Sequence, residues 1–195
     1  MALWGTSDAD ESKPKNLTTA EKKEVFANNS GWVREAGSIW SGNDNTDADP
    51  EVLVAVSGLA DSIGAADVTE VEWITSTADK SAGFTLSVRV RWNEAVTVTG
   101  NPTLEVTHGN QGSGSGRGPH TLVYASGTGT NELVFSLAIA AANAATNAND
   151  VLSIGAQTIA LAGGTIKDTA DGTTVSARAI SGTQGTAAGS ITVVA

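Results

Sequence analysis

The stretch Phe84–Trp92 limits most strongly what this chain can fold into. Phe84, Leu86, Val88, Val90 and Trp92 alternate with Thr85, Ser87, Arg89 and Arg91. A period of two puts every apolar side chain on one face of an extended strand, whereas a helix would scatter them around its axis. The segment therefore belongs in a sheet with one face covered. Val71 and Trp73 alternate with Glu70 and Glu72 just upstream. Further strands are predicted at 95–99, 103–107, 121–125, 132–139, 151–154, 158–161, 173–180 and 190–194. Gly100-Asn101-Pro102, residues 109–118 and 126–130, Gly163-Gly164 and Asp171-Gly172 punctuate them. The Ala/Asn-rich run 140–149 reads as a loop or a short helical turn. Many short strands with turn signals at this spacing predict an all-β sandwich over residues 67–195.

Composition shifts near Ala66. Lys13, Lys15, Lys22 and Lys23 precede it, and only Lys80 and Lys167 follow. A boundary at about 64–68 leaves residues 1–66 as an extended N-terminal arm with one or two short helices. Thr18-Thr19-Ala20-Glu21 has the form of a capping box and predicts a helix over 18–27. Asp49 as cap and Pro50 at the first helical position open a second, over 50–63. Val52, Leu53, Val56, Leu59, Ala60 and Ile63 would form its apolar face and Gly64 its C-terminal stop. Trp4, Phe26, Trp32, Ile39 and Trp40 stand in polar sequence that looks too short for a core of its own. They either dock on the later domain or insert into a partner, where tryptophan contributes strongly to binding.

Two resemblances add to this reading. Asn93–Leu104, followed by Leu122-Val123-Tyr124 and by Gly164-Thr165-Ile166-Lys167-Asp168 with Asp171-Gly172, resembles a bacterial and phage Ig-like repeat across about residues 70–180. That likeness implies an Ig-like β-sandwich and no particular activity. Met1-Ala2-Leu3-Trp4-Gly5, Lys13-Pro14-Lys15, the stretch from Leu17 to Gly31-Trp32-Val33, and Pro50–Leu59 look like segments of small structural proteins of marine contractile-tailed phages, cyanophages especially. This resemblance implies a virion component. A capsid decoration protein comes first, attached to the major capsid protein or other virion proteins and present in many copies. A neck, tail or fibre protein, or a carbohydrate-binding adhesin module with weak host-glycan contact, are the alternatives. It implies no catalytic site, so no enzyme is expected.

The chemistry of the chain is consistent with that expectation. A net charge of −10 opposes binding to nucleic acid, which needs a positive stripe, and to an anionic membrane surface. The absence of cysteine excludes disulfides, thiolate metal sites and cysteine catalysis. The opening residues lack the basic and apolar regions of a secretory signal, and no stretch reaches membrane-spanning length. Synthesis in the host cytoplasm and residence on the virion, at the capsid surface first, are expected. His108 and His120 flank the Gly/Ser-rich stretch 109–118, whose only charge is Arg117. The three are candidates for ligand contact at a surface loop, but two imidazoles without a carboxylate or thiolate make a weak metal site. Asn43–Asp49 invites a calcium reading but fails the EF-hand pattern, because Pro50 falls where glycine is required. No cofactor or metal is expected. Arg89 and Arg91 should pair across strands with Glu72 or Glu105, and Tyr124 is the aromatic candidate for exposure on a glycan platform.

Overall fold

The structure is a computed structural model and describes residues 13–108 and 119–195. It is mostly β, with one large sheet. A single 3₁₀ turn, Glu21–Glu24, leads into β1 (Val25–Asn28), β2 (Gly31–Arg34) and β3 (Glu51–Ala55), and a short helix α1 (Leu59–Ser62) follows. Next come β4 (Val68–Trp73), β5 (Ala78–Asp79), the long β6 (Phe84–Thr99), β7 (Thr103–Val106), β8 (His120–Ser126) and β9 (Thr130–Ile139). The chain ends with β10 (Val151–Ser153), β11 (Gln157–Thr158), β12 (Thr165–Asp168), β13 (Ala179–Ile180), helix α2 (Gly182–Ala188) and β14 (Ser190–Val194).

Among the described residues the large sheet runs β3-β2-β1-β6-β9-β8-β7, with β4 and β12 also paired to β6. The alternating segment forms the first half of β6 and lies antiparallel between β4 and β9. The strand then continues through Asn93 and Glu94, and its second half pairs with β12. Two smaller sheets, β10-β14-β5 and β11-β13, complete the strand pairing. Leu86, Val88, Val90 and Trp92 of β6 meet Leu133 and Phe135 of β9, Leu152 of β10, Ile166 of β12 and Val193 of β14 in one apolar cluster. The Trp92 indole donates to the carbonyl of Ala177 at 2.8 Å, which satisfies its polar edge inside that core. Gln184, which closes the capping box of α2 on Ser181, donates to the carbonyl of Val68 and so ties the helix to β4.

The N-terminal region departs from expectation. Its described part is not an extended arm, and neither helix forms over the predicted range. Thr18 and Glu21 do exchange the capping bonds: the Thr18 N–H donates to Glu21 Oε2 at 2.8 Å and the Glu21 N–H to Thr18 Oγ1 at 3.3 Å. The helical geometry stops at Glu24 because Val25–Asn28 pairs antiparallel with Gly31–Arg34 across the tight Asn29-Ser30 turn. Asn28 Oδ1 fixes that turn by accepting from the Ser30 N–H. In the second segment Val52 and Val54 are β-branched and suit a strand, and they pair with Val33 and Trp32 of β2. Gly58, at φ +69°, ends the extended chain, and only the four residues of α1 are helical. Val25, Ala27, Trp32, Leu59 and Ile63 form a second, small core, with Leu53, Val54 and Val56 packed against it. This N-terminal unit joins the large sheet where β1 runs parallel to β6, Ala27 facing Glu94. Strands 158–161 and 173–180 are also corrections: only Thr158 of the first lies in a strand, at the end of β11, and only the last two residues of the second do, as β13, while Ala160 and Val175 make isolated bridges to Thr103 and Lys167.

Candidate partner-binding surface

The loop between β2 and β3 carries two adjacent exposed large apolar side chains of the N-terminal unit; Val52 on β3 is the third among the described residues. Ile39 is 82% exposed and Trp40 45%. The loop is held from both sides of Trp40. Its N–H donates to Ser38 Oγ at 3.1 Å, and its carbonyl accepts from Arg34 Nη1 at 2.8 Å. Ser38 Oγ in turn donates to Glu24, and Arg34, itself buried, faces Glu51 at 3.4 Å. Two apolar side chains are thus displayed on backbone that is already ordered, which lowers the entropy cost of forming a contact.

The other expected anchors do not share that surface. Trp32 is fully buried at the centre of the small core, and Phe26 is buried on β1. Hairpin pairing of β1 with β2, and of β2 with β3, builds the cover that local sequence does not reveal. Trp4 and Arg117 lie outside the described residues. His108 and His120 do come together, with ring centroids 5.8 Å apart in an edge-on arrangement. His120, expected at a surface loop, is instead buried with its Nε2 3.3 Å from Thr146 Oγ1. Tyr124 does not form a free platform, because its hydroxyl accepts from the Thr128 N–H and its ring packs edge-on against Phe135. In the Asn43–Asp49 stretch, Asn43 and Asn45 turn their side-chain oxygens onto the N–H groups of Asn45 and Asp47. Among the described residues no group of three or more His, Asp or Glu side chains is placed to hold a metal ion.

Sequence reasoning missed the charged junction beneath this surface. Arg91 lies on the outward face of β6 yet is only 5% exposed, because the N-terminal unit covers it. Its guanidinium meets Glu132 at 2.5 Å, Glu72 at 3.0 Å, Glu70 at 3.1 Å and Glu35 at 3.5 Å. Arg89 pairs with Glu72 at 3.0 Å as expected, and with Glu132 at 3.3 Å, whereas Glu105 forms no ion pair with either arginine and its backbone bonds with the Gln157 side chain. Lys23 of the N-terminal unit pairs with Glu70, and Asn131 Nδ2 donates to Glu35 at 2.9 Å. Burial, and then the Glu132 carboxylate, push Glu35 up to about 7 against the pull of Asn131 and Arg91. Burial likewise lowers Lys13 to about 8, although Glu35 and Glu70 act to raise it. Alternation alone marks Arg91 as outward; only tertiary cover makes it buried.

Comparisons with protein-family models, with curated proteins and with solved structures find no match for this chain. Its function must therefore be read from the residues themselves.

Proposed function

We propose that this chain is a non-enzymatic structural protein of a tailed-phage particle, in the first place a capsid decoration protein. It attaches through the N-terminal unit to the major capsid protein or a neighbouring virion protein and displays an Ig-like β-sandwich. The observation that carries this reading is the pinned Ile39–Trp40 loop, an ordered apolar contact on an otherwise acidic molecule. A central aromatic and aliphatic pair can supply most of the energy of a protein contact. Repetition over many copies then turns modest single contacts into firm attachment. The sandwich reading is supported by β6, whose two halves pair with different neighbours, and by the apolar cluster shared between the large and the small sheets. The stretches that resemble an Ig-like repeat fall on β6, β7, β8 and β12, which lie together around that cluster. The likeness to phage structural proteins supplies the particle.

The test is binding of the purified full-length chain to heads of the encoding phage that lack it. The Ile39→Ala, Trp40→Ala double variant should fold normally and bind about thirtyfold more weakly, the loss typical of removing a strong anchor. Unchanged binding of that variant would discard the loop as the contact. An antibody against the chain that fails to label intact particles would discard the virion reading. Label at the neck, tail or fibres would move the same attachment chemistry to that position.

A further inference from the structure

A cleft of about 740 Å³ opens where the N-terminal unit meets β4 and α2. Volumes of this order hold small organic ligands, and such sites favour the seams between structural units. Three lysines reach it. Lys13 Nζ donates to the carbonyl of Lys22 at 2.6 Å and Lys23 pairs with Glu70, while the Lys22 ammonium has no ion-pair partner among the described residues. Asn93 uses its Oδ1 to accept from the Asp67 N–H, which leaves its NH₂ group as a donor. Trp32 also lines the cleft, and its indole N–H is buried without a hydrogen-bond partner. A buried donor with no acceptor is costly, and in native structures it calls for a specific explanation. Three donors at this cleft thus have capacity to spare: the Lys22 ammonium, the Asn93 amide and the Trp32 indole. Val71 and Ala187 supply apolar wall between them. Two carboxylates line the same wall: Glu70 is already paired with Lys23 and Arg91, and Asp67 is the like charge that an anion must avoid.

We propose that this cleft binds a carboxylated sugar. Its carboxylate faces Lys22 and Lys13, its ring oxygens and hydroxyls accept from Asn93 and Trp32, and the C–H face of its ring lies on Val71 and Ala187. The chemistry needed is an acceptor-rich anion with an apolar face, and a hexuronate ring has both. The site is separate from the Ile39–Trp40 loop and does not depend on attachment to a particle.

The test is a titration of the full-length chain with trigalacturonate, read on the tryptophan indole N–H signals by NMR. The Trp32 signal should shift saturably, and Lys22→Glu, a substitution at a surface side chain, should weaken binding about tenfold. Trigalactose, which lacks the carboxylates, should leave the signal unmoved. The site is overturned if trigalacturonate moves no Trp32 signal at about 10 mM, a concentration that reports even the weakest specific contacts. It is equally overturned if Lys22→Glu binds as well as the parent. A tetra-aspartate peptide that shifts the signal as strongly as trigalacturonate would overturn the assignment to a sugar. The particle-binding experiment above can succeed or fail independently of these outcomes.

Discussion

Truncating Trp32 to alanine would empty the centre of the small core that it forms with Val25, Ala27, Leu59 and Ile63. Losses of this kind cost about 3–5 kcal/mol, so the thermal midpoint of Trp32→Ala should fall by roughly 10 °C. Trp40→Ala removes a side chain that is nearly half exposed and should change stability by less than about 0.5 kcal/mol. Differential scanning calorimetry of the two variants checks both values, and equal losses would contradict the burial described for this pair. In the sequence these residues look alike, each an aromatic with one small and one aliphatic neighbour: Gly31 and Val33 beside Trp32, Ser41 and Ile39 beside Trp40. They are separated by pairing: Trp32 sits on a strand bonded on both sides, and Trp40 on a loop. Gly31 belongs to the same scale. A Cβ there would stand 2.0 Å from the carbonyl oxygen of Val54, at a φ of +131° that side chains avoid. Gly31→Ala should therefore separate β2 from β3 and expose Trp32, which a red shift in tryptophan fluorescence would report.

At the scale of elements, the junction between the N-terminal unit and β6 governs the response to pH. The Glu35 pKa in the folded chain lies above its ordinary value of 4.5, so the folded state holds this proton more tightly than the unfolded state does. The resulting stability is complete below about 4.5 and is lost as pH rises to about 7, beyond which this group adds no further slope. The full swing is about 3 kcal/mol at most, because each tenfold gain in proton affinity is worth about 1.4 kcal/mol. Glu35→Gln, which keeps the bulk and loses the charge, should flatten this part of the profile and be the more stable protein at about pH 8. Urea midpoints at about pH 5 and pH 8 decide the matter, and parallel slopes for the two proteins would refute the assignment. Lys13 acts in another window: its depressed pKa adds stability only as pH rises from about 8 toward 10.5. Removing Arg91 should be harsher, because Glu35, Glu70, Glu72 and Glu132 would then face one another without their shared cation. Arg91→Met should cost about 3–5 kcal/mol by chemical denaturation, the usual penalty for breaking a buried ion cluster.

For the whole molecule, two cores of unequal size imply two levels of protection. The cluster around β6 and β9 draws on both small sheets, whereas that of the N-terminal unit rests on few fully buried side chains. Amides of β2 should exchange with solvent before those of β6 and β9, and identical protection would show that the chain opens as one unit. The β-rich character of the chain was readable from the alternation in Phe84–Trp92, which lies in the middle of the large sheet. Most of the later strands were readable too, because turn residues bound them. The N-terminal hairpin was hidden by a local signal that is physically real. Thr18 and Glu21 do form their capping bonds, but one turn of helix cannot compete with strand pairing. Of the candidate site, Ile39 and Trp40 stand out in the sequence as side chains that either dock on the later domain or meet a partner, and only the fold leaves them exposed; the Arg91 cluster depends on contacts distant in the chain and has no local signature.

Because β6 contributes to both halves of the large sheet, an error in its alignment could not remain local. Slipping by a single position would drive the guanidiniums of Arg89 and Arg91 into the apolar interior and push Val88, Val90 and Trp92 into water. The same slip would break the match with β9 at one end and with β12 at the other. The strand acts as a proofreader of assembly: a misaligned chain incurs every penalty at once and has no comfortable trap in which to wait.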